Sequence, residues 1–192
     1  MSRFIGSVCL IATLIVPAER AQAQFTEPSP EHKVVQRDVG RWNASVKMWM
    51  GADGQADPSA EPQVSKGSEV NRKLGEFWVL STFKGEFAGM PFEGHSVNGF
   101  DPKTKKFVGS WTDSFTPHAM HMSGTYDEAT ETLTFVTKGI GMDGNEVEGK
   151  SEMKYEGKRR RVLTMYEMKD GKPIKMMEIT YERAPASQPA AK

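Results

Sequence analysis

Cysteine is all but missing. The single one, Cys9, lies inside an apolar stretch near the N-terminus, so the rest of the 192-residue chain can form no disulfide and offers no thiol nucleophile. Cys9 does not close a lipobox such as Leu-Ala-Gly-Cys, which argues against lipid attachment there. Charge of one sign is missing too: 25 Lys and Arg balance 25 Asp and Glu, and without a basic surplus no nucleic-acid partner is expected. Long apolar runs are absent. The Phe4 to Val16 run is thirteen residues long, short of the roughly 20 that a membrane-spanning helix needs. No nucleophile elbow, phosphate-binding glycine loop or His-Glu-x-x-His helix occurs, so no cofactor is implied.

The short apolar run has a different reading. Arg3 precedes it, Pro17 follows it, and Ala21-Gln22-Ala23 supplies a small-x-small tripeptide. That order is the pattern of a secretory signal peptide, residues 1–23, cleaved after Ala23. The mature chain would begin at Gln24, carry one net negative charge and no transmembrane segment, and be exported to a bacterial periplasm or exterior, where a chain without cysteine needs no bridges. Residues 24–29 read as an N-terminal linker. At the other end "RAPASQPAAK", residues 183–192, has no apolar periodicity and reads as a disordered tail. One domain, residues 30–182, remains between them.

Within it one helix is expected, "EHKVVQRDV" over residues 31–39, opened by Pro28-Ser29-Pro30 and stopped by Gly40. Everything after it has period two. "WNASVKMWM" places Trp42, Ala44, Val46, Met48 and Met50 on one face. "VSKGSEVNRKL", "FWVLSTFKGEF", "PFEGHSVNGF", "KFVGSWTDS", "HAMHMSGTYD", "TLTFVT", "EVEGKSEMKY", "RRVLTMYEM" and "PIKMMEITYE" follow, separated by short turn clusters. Ten successive antiparallel strands most simply close into an all-β up-and-down barrel, with a β-sandwich as the alternative. The "RRR" at 159–161 reads as a solvated strand start.

Gly40-Arg41-Trp42, a Gly-x-Trp directly after a short helix, resembles the signature of lipocalins and related calycin barrels, in which the tryptophan plugs one end. The run from "KGSEVNRKLGEFWV" through "FKGEFAGMPFEGHSVNGFDPKTKKFVGSWTDS" to "SGTYD", with "MEITYER" at the end, resembles a bacterial family of unknown function, DUF1579, over about 150 residues. That resemblance implies no activity and no catalytic residues.

Candidate site residues come from hairpin register, because side chains alternate faces along a strand. Pairing Phe100 with Phe107 sets Asn98, Ser96 and Gly94 opposite Gly109, Trp111 and Asp113. Across the next turn Asp113 is expected to face His118, Trp111 to face Met120, and Gly109 to face Met122. With Phe107 and Tyr126 in phase, this is the inward face, whereas His95 and His121 face outward. Ser81 and Arg72 are further candidates for inward polar positions, Arg72, near the turn, being equally placed to be solvated at a rim. The candidate ligand-binding set is therefore Trp111, Asp113, His118, Met120, Met122 and Tyr126.

Three function classes fit that set. A barrel lined by Met, Phe and Trp suits a small apolar or amphipathic ligand. His118, Met120 and Met122 on one strand face would be a soft ligand set for periplasmic Cu(I). Asp113 orienting His118 as a general base would make an enzyme, although neither an electrophile nor a cofactor accompanies the pair. The absence of a catalytic motif favours the binding protein.

Overall fold

The computed structural model describes residues 27–52, 54–140 and 144–185. The expected signal peptide, residues 24–26 of the linker and residues 186–192 of the tail lie outside them.

After the helix α1 (His32–Gln36) come ten strands: β1 (Gly40–Met48), β2 (Gln63–Leu74), β3 (Trp78–Phe87), β4 (Met90–Asp101), β5 (Lys106–Asp113), β6 (Met120–Asp127), β7 (Thr132–Ile140), β8 (Glu146–Glu156), β9 (Arg160–Lys169) and β10 (Lys172–Arg183). Each pairs with its sequence neighbour, and β10 returns to β1, so the sheet closes into an antiparallel barrel with no free edge. This is the expected up-and-down barrel and not a two-sheet sandwich.

Turn chemistry supports the closure. Asp101 Oδ1 accepts the Lys103 N–H at 2.9 Å and Asp127 Oδ1 the Ala129 N–H at 2.9 Å, so a carboxylate organises the turn after β4 and the turn after β6. Gly40 has a different task. Its φ is 134°, and a Cβ there would run into the Arg183 guanidinium, so the first residue of β1 has to be glycine.

The helix is shorter than its apolar pattern. Past Gln36 the chain tightens: the Arg37, Asp38 and Val39 N–H groups donate three residues back, to Val34, Val35 and Gln36, at 3.1, 3.1 and 3.2 Å. The Asp38 carbonyl is then free to accept from Trp42 Nε1 at 2.7 Å and from Asn71 Nδ2 at 2.9 Å. At the other terminus the strand extends one residue past the expected domain edge, because Arg183 pairs with Trp42 and reaches back under α1.

The register between β4 and β5 is the expected one: Phe100↔Phe107, Asn98↔Gly109, Ser96↔Trp111, Gly94↔Asp113. Arg72 takes the solvated of its two expected places. It is exposed, and its neighbours Glu69 and Asn71 are the buried residues of β2, because Asn71 and not Arg72 pairs with Ser81. A one-residue shift in phase exchanges the faces of the whole strand.

The core forms two clusters. One joins Val35 of α1 to Val79, Phe100, Phe107, Leu133, Phe135 and Tyr155. The other joins Trp42, Ala44, Val46, Phe83, Ile179 and Tyr181. Helix α1 lies over the end of the barrel formed by the start of β1 and the end of β10, and closes it. The opposite end, the mouth, where Met48, Phe87 and Asp113 finish their strands, is covered by no helix among the described residues.

Candidate functional site

The closed end is built around a buried charge. Arg161 is 1% exposed, although the Arg159-Arg160-Arg161 run reads as solvated, because the middle of a β-strand run points the other way. Arg160 faces out to Glu156, while Arg161 stands between Tyr155 and Tyr181 in register and points inward. Its guanidinium forms ion pairs with Asp38 and Glu69. The Trp42 and Tyr181 rings lie 4.4 and 4.5 Å from its carbon, so the cation is also sandwiched by two aromatic faces. Asn71 Nδ2 donates to Glu69 at 2.6 Å, and Tyr155 OH donates to Asp38 at 3.3 Å.

This environment shifts each member. Burial pushes the Asp38 carboxyl above the ordinary carboxylate range, Arg161 pulls it down, and Glu69 pushes it up again. Burial opposes charge on Arg161, yet Asp38 and then Glu69 hold the guanidinium protonated above its ordinary value. Two carboxylates share one buried cation, an arrangement that fixes a single packing of the end of the barrel and leaves no exposed group to do chemistry.

The other end is where the candidate residues meet, in part. Trp111 pairs with Met120, and Gly109 with Met122, in the expected register. The ladder stops there. Asp113 ends β5 by accepting the Phe115 and Thr116 N–H groups at 2.9 and 3.1 Å on one oxygen and Trp111 Nε1 at 3.0 Å on the other. Pro117 lacks an N–H to continue pairing, so His118 precedes β6 and its side chain is exposed. The expected Asp113–His118 opposition is therefore not in the ladder: the carboxylate is engaged by its own turn. His118 is likewise off the strand whose face carries Met120 and Met122, so the three do not share that face. Tyr126 lies towards the closed end, where its OH accepts from Arg37 at 3.0 Å and its ring meets Phe107 edge-on. His95 and His121 are exposed, as expected.

Around Trp111 the open end is aromatic. Phe92 stacks on Trp111 at 6.3 Å between centroids, Phe115 meets Phe92 edge-on at 5.4 Å, and Phe87 meets Phe115 at 5.5 Å. Gly94 makes room for this, since a Cβ there would enter the Trp111 ring. Across the barrel Met48, Met177 and Met165 are direct neighbours on three successive strands, β1, β10 and β9. Trp111, Phe92, Met120, Met165 and Met177 point inward and yet are half-buried. A side chain that faces the inside of a closed barrel meets solvent only through an end of it, so these five are reached from the mouth. The loop after β1 reaches towards it: Ala56 N donates to Glu167, an inward position of β9, at 3.0 Å. Reading the β4–β5–β6 hairpins could not find Met165 or Met177, which belong to strands far along the sequence, whereas Phe92, in phase with Gly94 on β4, lay within its reach.

Comparisons with known proteins agree on family and fold. The profile of the family described as "Protein of unknown function (DUF1579)" matches residues 27–183. Comparison with curated proteins gave no match. Among solved structures, the crystal structure of Rv2717c from M. tuberculosis is similar at 11% identity with a TM-score of 0.60, over 83% of this chain and 100% of that one, a likeness of fold. The structure of EF1p2_mFAP2b bound to DFHBI is a looser likeness, at 14% identity and a TM-score of 0.41 over 80% and 99% of the two chains.

Proposed function

The chain belongs to the DUF1579 family of proteins of unknown function, and from that starting point we propose that it binds a small, largely apolar ligand in the open half of its barrel. One observation carries the reading: Phe92, Trp111, Met120, Met165 and Met177 face inward but are incompletely buried, so an apolar lining stands ready to be covered. Methionine suits such a lining because it repacks around ligands of different shape. Buried apolar area contributes about 25 cal/mol per Å² before the cost of association. The Asp113 carboxylate at the rim is engaged by Trp111, Phe115 and Thr116, so it positions the wall and is not a free base. In this proposal the working form is the exported chain beginning at Gln24, on the strength of Phe4 to Val16 and Ala21-Gln22-Ala23; N-terminal sequencing of exported material checks it.

The test is titration with cis-parinaric acid, a fluorescent fatty acid. Binding is expected to quench tryptophan emission, and Trp111→Phe is expected to remove most of the quenching while the probe still binds. Met120→Glu, which puts a charge at the mouth, is expected to weaken binding. A probe that leaves Trp111 emission unchanged, or binds Met120→Glu and the parent alike, would refute the site.

A further inference from the structure

The closed end carries a cavity of its own, about 590 Å³, between the end of α1 and the turn joining β8 to β9. It lies on the far side of the Trp42 and Arg161 layer from the barrel mouth. Four of its lining residues are cations, Arg37, Lys158, Arg159 and Arg183, and none is a carboxylate.

The nearest acids are already engaged. Asp38 and Glu69 pair with Arg161, and Glu131 pairs with Arg37 at 3.2 Å. Among the described residues no carboxylate forms an ion pair with Lys158, Arg159 or Arg183. Arg183 is nevertheless fixed in place. It donates from Nε to the Lys158 carbonyl at 2.9 Å, from Nη1 to the Val39 carbonyl at 2.9 Å and from Nη2 to the Arg37 carbonyl at 3.1 Å. Those acceptors are neutral, and a guanidinium has five N–H donors, so two donors and the full charge remain. Burial, then Arg161 and Arg159, hold this guanidinium below its ordinary value, a sign of concentrated positive potential.

The two lining arginines nearest the barrel are also oriented. Arg183 lies 4.3 Å from the Trp42 ring and Arg37 lies 4.4 Å from the Tyr155 ring. With one face of each guanidinium against an aromatic ring, the donors lie along the edge, the part that recognises an oxyanion; Arg183 keeps two of them, whereas Arg37 already donates to Tyr126 OH at 3.0 Å and to Glu131 at 3.2 Å.

We infer that this cavity binds an organic phosphate, its oxyanion head held by Arg159, Arg183 and Lys158, with Arg37, already paired with Glu131, forming part of the wall. The cleft is wider than a bare anion needs, and Trp42 and Tyr155 in its lining offer an organic body an aromatic wall. The site is independent of the open end of the barrel.

The experiment is an NMR titration of the full mature protein with phenyl phosphate, following the tryptophan indole N–H signals. The Trp42 signal is expected to move and the Trp111 signal to stay, with benzyl alcohol giving no such response. Lys158→Gln combined with Arg159→Gln removes two exposed cations without touching the fold. The pair is expected to weaken binding about five- to tenfold and to leave the thermal midpoint where it was. Inorganic phosphate is expected to bind more weakly than phenyl phosphate. A still Trp42 signal up to about 10 mM phenyl phosphate, equal affinity in the double variant, an equal response to benzyl alcohol, or inorganic phosphate binding as tightly as phenyl phosphate would each overturn the proposal.

Discussion

Arg161→Met is the substitution with the most to say about how this barrel is held together. Methionine keeps most of the volume and length of the side chain while removing the cation from between Asp38, Glu69, Trp42 and Tyr181. The two carboxylates then remain in a site where Glu69 is 7% exposed and Asp38 9%. Breaking a buried pair by removing one partner typically costs about 3–5 kcal/mol, because the other charge is left uncompensated. In a domain of this size that corresponds to a fall in midpoint of about 6–20 °C. The assay is urea unfolding followed by far-UV circular dichroism, with the slope against denaturant checked to be unchanged so that the shift reports stability. The triple variant Asp38→Asn, Glu69→Gln, Arg161→Met separates charge from packing. With no ion left to solvate, it should recover more than half of the loss, as replacement of whole buried ion clusters often does. A loss below about 1 kcal/mol in the single variant, the range of an exposed pair, would refute the reasoning. So would a triple variant no more stable than the single one, since the cost would then be lost packing.

Asp38→Asn tests the sign of the pH response. The folded state holds the Asp38 proton above the ordinary carboxyl range, so folding takes up a proton there, and that contribution is present at low pH and lost as pH rises through the folded value. The parent should therefore lose stability relative to Asp38→Asn as pH rises above the ordinary carboxyl value of about 4; a difference that is flat or grows the other way would contradict the shift. Gly94→Ala should displace the Trp111 ring from Phe92, because the added methyl occupies its place. The expected result is a loss of about 1–3 kcal/mol and a changed near-UV spectrum; an unaltered spectrum would mean that the stack tolerates it.

The fold was legible because each strand states its two faces and each turn states its ends. Ala44, Val46 and Met48 alternate with exposed neighbours on β1, and the structure buries those three. Register was legible within single hairpins, where a short turn leaves one sensible pairing, as for Phe100 with Phe107. It failed where a loop has chemistry of its own: at Asp113 the carboxylate caps the following turn, so the count across Pro117 to His118 does not continue the ladder. Closure was not legible at residue level. That β10 returns to β1 brings Arg161, Glu69 and Asp38 together from three distant segments. In isolation each looks like an ordinary surface charge, and an in-phase position between Tyr155 and Tyr181 was the signal that marked Arg161 as inward.

The two ends of the barrel follow from one constraint. A buried guanidinium needs its carboxylates and flanking rings in direct contact, so the barrel interior around Arg161 is filled by Trp42, Tyr155 and Tyr181 at 2–3% exposure and takes no ligand inside the barrel. The inward glycines Gly94, Gly109 and Gly149 let their neighbours pack close: the Trp111 ring occupies the room beside Gly94 and the Asn98 side-chain oxygen that beside Gly109. A Cβ on Gly109 would approach Met122 at 3.1 Å, and one on Gly149 the Thr137 hydroxyl at 2.7 Å, so these positions are small because their neighbours fill the room that a side chain would need. Stability and binding are thus separated along the barrel axis. Substitutions around Arg161 act on whether the barrel closes, and substitutions among Trp111, Met120, Met165 and Met177 act on what the mouth accepts.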